Sequence, residues 1–166
     1  MGGQVEGKIK LLIVDDEVQF LDSIAQRLEL RGFEVVKASR GEQAVEAARN
    51  QKFDLAILDL KMPGMDGRQL LELLKLEHRY LEVIMLTGHG SVESAVECTK
   101  LGAFGYLPKP YELEHLLEIL KQAYQARLEK KFRSDKTRID RIQELALGNS
   151  PLGILRGLRE LDDDEK

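Results

Sequence analysis

Leu55–Leu58 is an unbroken apolar run followed by a lone acid, Asp59, after which the chain breaks into a loop built on Pro63, Gly64 and Gly67. A run without polar alternation reads as an interior strand covered on both faces, so Asp59 stands at that strand's carboxyl end. The pattern recurs. Residues 9–14 run into the acidic pair Asp15 and Asp16, residues 82–86 into Thr87-Gly88-His89-Gly90, and residues 104–107 into Pro108-Lys109-Pro110. As neighbouring parallel strands these runs bring their ends together, and Asp15 or Asp16, Asp59, Thr87 and Lys109 meet in one crevice. Carboxylates gathered in this way repel and raise one another's pKa unless cations intervene. Lys109 supplies one cation, and a hard divalent ion such as Mg²⁺, held by carboxylates with room for water and a phosphoryl oxygen, suits the remaining charge. A carboxylate beside such an ion is also a nucleophile able to form an acyl phosphate. Thr87 offers a hydroxyl, and the amides around Gly88 suit phosphoryl oxygens.

Helical patterns fill the gaps between the apolar runs. Phe20, Leu21, Ile24 and Leu28 mark a helix over about 18–31 that Gly32 stops. Residues 34–37 read as a weak outer strand, and residues 41–50 as a helix with Ala44, Val45 and Ala48 inward. Asp66 caps a helix to about residue 77 with a wide face of Leu70, Leu71, Leu73 and Leu74. Ser91 caps another, with Val92, Ala95 and Val96 on one side and Gly102 at its end, and Tyr111 opens a long final helix. Strands separated by helices predict an α/β fold of three layers, a five-stranded parallel sheet flanked by five helices, because right-handed crossovers cover both faces. The strand order 2-1-3-4-5, flavodoxin-like, comes from the general behaviour of doubly wound sheets.

Composition narrows the function classes. The chain has 166 residues, enough for one ordinary core, and its 25 basic and 29 acidic residues leave a formal charge of -4. So balanced a charge gives no support to nucleic-acid or membrane-surface binding. The single cysteine, Cys98, cannot close an internal disulfide, and the opening MGGQVEGKIK has no signal-peptide core, so the expected setting is cytoplasmic. His78, His89 and His115 lack metal-ligand spacing.

Four segments carry a resemblance: LIVDDE at 12–17, DLKMPGMDG at 59–67, LTGHG at 86–90 and GYLPKP at 105–110. In this order, each at the end of an expected strand, they resemble the receiver domain of bacterial two-component response regulators (CheY-like) over about residues 8–125. The resemblance implies a phosphorelay module that accepts a phosphoryl group on Asp59 from a histidine kinase or phosphotransfer protein. It implies Mg²⁺ held by Asp15, Asp16, Asp59 and the backbone carbonyl of Lys61. Thr87 matches the hydroxyl that moves to the phosphoryl group, Lys109 the lysine that pairs with it, and Tyr106 the switch aromatic. The resemblance also implies that the side chains of Lys61 and His89 set the hydrolysis rate by controlling how water reaches Asp59. Self-phosphorylation from the donor and autodephosphorylation are implied as part of signalling, not of a metabolic enzyme.

Residues 126–166 are expected to form a helical extension. The stripe Leu113, Leu116, Leu117 and Leu120 continues through Tyr124 and Leu128 towards Phe132, longer than one core needs. The surplus predicts pairing with another copy or a partner. Ile139, Ile142, Leu145 and Ala146 mark a second amphipathic helix stopped at Gly148-Asn149, Ser150-Pro151 starts a third, and residues 162–165 read as an acidic tail. The extension is read as a dimerising or partner-binding appendage in preference to the start of a truncated linker, with a DNA-associated regulator acting through it as the alternative.

Overall fold

Every residue of β3, Leu55–Leu58, is buried, as a run without polar alternation demands. The computed structural model describes residues 7–148 and 150–163. Around β3 lie β1 (Lys10–Val14), β2 (Glu34–Ala38), β4 (Glu82–Thr87) and β5 (Gly105–Pro108), all parallel, in the order β2-β1-β3-β4-β5. The order matches the expectation, and β2, the only strand among the described residues with two exposed positions, is at an edge.

The pleat sorts the core into two. Leu11, Ile13, Leu55, Ile57, Ile84 and Leu86 face α1 (Val18–Glu29) and α5 (Leu113–Lys131). Leu12, Val14, Ala56, Leu58, Val83 and Met85 face α2 (Gly41–Asn50), α3 (Gly67–Glu77) and α4 (Val92–Lys100). Successive residues thus serve opposite layers, as the period of two requires. Helix starts follow the sequence signals. Asp66 accepts from the Gln69 amide and the Gln69 side chain from the Asp66 amide, while Ser91 and Ser94 exchange the same pair of bonds.

The extension differs from expectation in one respect. It forms α6 (Lys136–Leu145) and α7 (Pro151–Asp163), where the sequence places them, but both turn back onto α5. Ile142, Ile154, Leu155 and Leu158 join Tyr124, Leu128 and Phe132 in the same buried cluster as Ile9 and Leu11. The surplus stripe on α5 is therefore covered within the chain, and α5 runs unbroken through position 125. Asn149 lies outside the described residues, as do residues 164 and 165 of the expected acidic tail. Asp162 does not belong to a solvated tail. It is 4% exposed and accepts hydrogen bonds from Tyr124 Oη at 2.8 Å, Lys131 Nζ at 2.7 Å and Arg159 Nη1 at 3.1 Å. A helix that folds back must either neutralise or hydrogen-bond the acid it buries, and these donors do both.

Burial alone would raise the Asp162 carboxyl, but the bonds from Lys131 and Tyr124 outweigh it and hold it below the ordinary value. Burial also pushes the Tyr124 phenol upward, so it stays a donor. Tyr124→Phe removes one donor to a buried charge and is expected to cost about 1.5–3 kcal/mol in urea unfolding at neutral pH. A depressed carboxylate contributes stability above its unfolded value, about 3.9, and loses it as pH falls through the folded value. The gap between native and Tyr124→Phe unfolding midpoints is therefore expected to shrink below about pH 4; an unchanged gap would refute the assignment.

Candidate functional site

Strand register makes the site. Val14 pairs with Leu58, Leu58 with Met85, and Thr87 with Pro108. The residues that follow, Asp15, Asp59 and Lys109, therefore emerge side by side at the carboxyl edge, with Thr87 closing β4. Backbone bonds hold them there: the Asp15 amide donates to Ala38 O at 3.1 Å, Asp59 to Val14 O at 2.9 Å and Lys109 to Thr87 O at 3.0 Å. The Gly67 amide closes the loop after Asp59 by donating to Leu60 O at 2.8 Å. A side chain at Gly67 would run into the Asp59 carbonyl, which is why a glycine begins α3.

Asp59 is 1% exposed and Asp15 2%. Asp59 Oδ1 accepts from the Leu60 amide at 2.8 Å, and Asp15 Oδ1 from the Glu17 amide at 2.9 Å. Lys109 Nζ bridges them, 2.5 Å from Asp15 Oδ2 and 3.8 Å from Asp59 Oδ2, and reaches Glu17 Oε1 at 3.3 Å. Burial raises the Asp15 carboxyl, helped by the charge of Asp59 and opposed by bonds from Lys109 and the Glu17 amide. The same burial works against the Lys109 ammonium, yet its bond to Asp15 and the charges of Asp15 and Asp59 prevail and raise it. Lys109 stays protonated between two buried acids.

The sequence expectation of Asp15 or Asp16 divides cleanly. Asp15 turns inward, whereas Asp16 is exposed beside a recess of about 380 Å³ that Lys61, Pro63 and His89 also line. The acid that joins Asp15 and Asp59 is Glu17: one oxygen from each lies within 4.8 Å of the others. Three oxygens with no nitrogen or sulfur donor fit a hard cation such as Mg²⁺. Glu17 was visible in the LIVDDE segment, but its reach across a turn was not. Phe20 was also missed. Assigned to a helical core face, it presents its ring centroid 4.0 Å from Lys109 Nζ and meets Tyr111 edge to face at 5.9 Å.

Thr87 is buried, and its Oγ1 accepts from the His89 amide at 3.0 Å. Its hydroxyl hydrogen is left to donate elsewhere. Tyr106 is half-buried; its hydroxyl lies 3.1 Å from Ser94 Oγ on α4, and its ring covers the place a Gly90 side chain would take. Tyr106 therefore spans β5 and α4, next to the strand that Thr87 closes.

Known proteins share this fold. A family model for the response regulator receiver domain matches residues 11–121. The response regulator protein FleR of Pseudomonas aeruginosa is 38% identical over 111 residues, 67% of this chain and 24% of that protein. The chain thus spans about a quarter of that relative's length. A CheY-like receiver domain protein from Methanospirillum hungatei superposes with a TM-score of 0.72 at 35% identity, covering 75% of this chain and 99% of that one. A chain of the CheX-CheY-BeF3-Mg²⁺ complex from Borrelia burgdorferi gives 0.67 at 28% identity, over 70% and 89%. Matched over residues 11–121 and carrying its acids at the carboxyl edge of a 2-1-3-4-5 sheet, the chain belongs to the response regulator receiver domain family.

Proposed function

We propose that Asp59 is the phosphoacceptor of this receiver, that Asp15, Glu17 and Asp59 hold Mg²⁺, and that Thr87, Lys109 and Tyr106 turn the new charge into a change of surface. The observation that carries this reading is the bridge of Lys109 between two buried carboxylates, one of them a lone acid at the end of the central strand. Asp16 and the Lys61 carbonyl, at the open side, are proposed to complete the ion's surroundings, directly or through water. Bound there, Mg²⁺ offsets the clustered negative charge and steadies phosphoryl oxygens in transfer.

The chain's own residues do the rest. An Asp59 oxygen attacks phosphorus as the bond to the donor's histidine nitrogen breaks, so no external base is required. Lys109 already points its ammonium at Asp59 and needs only a short movement to pair with a phosphoryl oxygen. Thr87 donates its hydroxyl hydrogen to another. Phosphorylation adds negative charge and strong acceptors, which draws Thr87 towards Asp59 and opens room for the Tyr106 ring. Turning inward breaks the Tyr106–Ser94 contact and alters the face formed by α4 and β5, where Val92, Val96 and Phe104 are already exposed. A histidine kinase or phosphotransfer protein is the proposed donor, and a protein or second copy on that face the proposed listener. Direct DNA reading by the extension has less support, since its apolar side chains are spent on α5. Among the described residues no helix is long and apolar enough to cross a membrane.

Incubation with acetyl phosphate and Mg²⁺ is expected to add one phosphoryl group to the native protein by intact mass and none to Asp59→Asn; equal labelling of both would sink the assignment. Chelation of Mg²⁺ is expected to abolish labelling. Lys109→Met is expected to slow it by about 10²-fold or more, the scale set by losing one preorganised cation at developing charge. Thr87→Ala should still label, but NMR shifts at Ser94 and Tyr106 on phosphorylation should vanish; their persistence would separate Thr87 from the switch.

A further inference from the structure

An ammonium has hydrogens to donate and no acceptor, and that of Lys109 sits on a side chain only 11% exposed. Nζ donates to Asp15 Oδ2 at 2.5 Å and to Glu17 Oε1 at 3.3 Å. Asp59 Oδ2 stands farther off at 3.8 Å, beyond hydrogen-bond reach. The two bonds therefore tie the cation to acids other than the lone acid of β3.

Another neighbour of the ammonium is not an oxygen. The Phe20 ring has its centroid 4.0 Å from Lys109 Nζ, well inside the roughly 6 Å over which a ring face attracts a cation. Loss of water around the charge strengthens that attraction. Phe20 itself is held in place. It lies in the first turn of α1, half-buried against the core that α1 and α5 share, and meets Tyr111 edge to face at 5.9 Å and 82°. Tyr111 follows Lys109 by two residues, so one ring grips the β5–α5 connection at two points. Since α1 starts three residues after Asp15, the ring also ties the end of β1 to that connection.

Packing explains an apolar residue at position 20 but not its kind. Leucine or methionine would fill a half-buried helix position, whereas only an aromatic ring turns a negative face to an ammonium. A further carboxylate there would compete with phosphoryl oxygens for the cation's hydrogens. The phenyl ring attracts the charge and leaves those hydrogens free to be shared with an incoming oxygen.

We propose that Phe20 is a positioning residue for phosphoryl transfer, its ring face keeping the Lys109 ammonium beside Asp59, where that cation meets the developing phosphoryl charge. The proposal rests on Asp59 being the phosphoacceptor. Phe20 acts through Lys109 and takes no part in bond making.

The test keeps the ring and changes its electrons. Mono-, di- and trifluorinated phenylalanine at position 20 withdraw progressively more charge from the ring face while adding little volume. Acetyl phosphate labelling of Asp59 in the full chain with Mg²⁺ is expected to slow stepwise along the series. Slowing should reach about three- to tenfold with the trifluorinated ring and in Phe20→Leu. In a Lys109→Met background the same series is expected to have no effect. Without Mg²⁺ or phosphodonor, NMR should place the Lys109 ε-methylene protons upfield of ordinary lysine values and return them in Phe20→Leu. A flat series, or equal slowing with and without Lys109, overturns the positioning role, as do ε-methylene protons at ordinary values. Any of these results would leave native protein labelling and Asp59→Asn not labelling, so the phosphoacceptor reading fails separately.

Discussion

Parallel strands in register bring their carboxyl ends level, and that alignment forces acids from separate stretches of sequence into one buried space. Asp15 and Asp59 are neighbours because Val14 and Leu58 pair, not because either seeks the other. Their mutual repulsion is the price of the arrangement, and Lys109 makes it bearable. Lys109 is itself delivered by the pairing of Thr87 with Pro108. A buried cation between two buried anions is tense by construction: its desolvation is offset only while the acids keep their charge. Any new charge on Asp59 redistributes all of these contacts. A crevice so balanced responds to one added group where a neutral core would not.

Much of this was legible in the sequence because the physics that shapes it is local. An apolar run ending in a polar group states a buried strand with that group at its end, and four such runs, two ending in acids, one in a threonine and one at a lysine, state a crevice. Helix starts at Asp66 and Ser91 were readable for the same reason, since a cap needs only a side chain and the amide three residues on. The choice between Asp15 and Asp16 was not readable. It depends on which way the chain turns after Val14, and that turn is set by the bond from the Glu17 amide to Asp15. The same turn carries Glu17 to the acids. Phe20 carried an apolar signal that a core position explains equally well, and only the approach of Lys109 in space distinguishes it.

The extension marks the other limit of sequence reading. An amphipathic stripe announces that a surface needs cover, yet does not say what provides it. Tyr124, Leu128 and Phe132 have the same pattern whether they meet a second copy or the chain's own α7. Asp162 illustrates the ambiguity, because beside Asp163, Asp164 and Glu165 it reads as solvent-exposed acidity. In the fold it is the shared acceptor of a phenol, an ammonium and a guanidinium. Such a role becomes visible only once the helices have met.

Covering α5 from one side also decides what remains open. α7 takes the lower part of α5 and the start of β1, so the extension enlarges the layer that α1 and α5 form and, among the described residues, makes its main contacts away from α4 and β5. The face that Tyr106 can alter is therefore separate from the face the extension occupies. Charged side chains gather at both ends of the sheet, at one from strand register alone and at the other where α7 docks. Because α5 borders β5 above and carries Arg127 and Tyr124 below, a change at either end has a rigid helix through which to bear on the other.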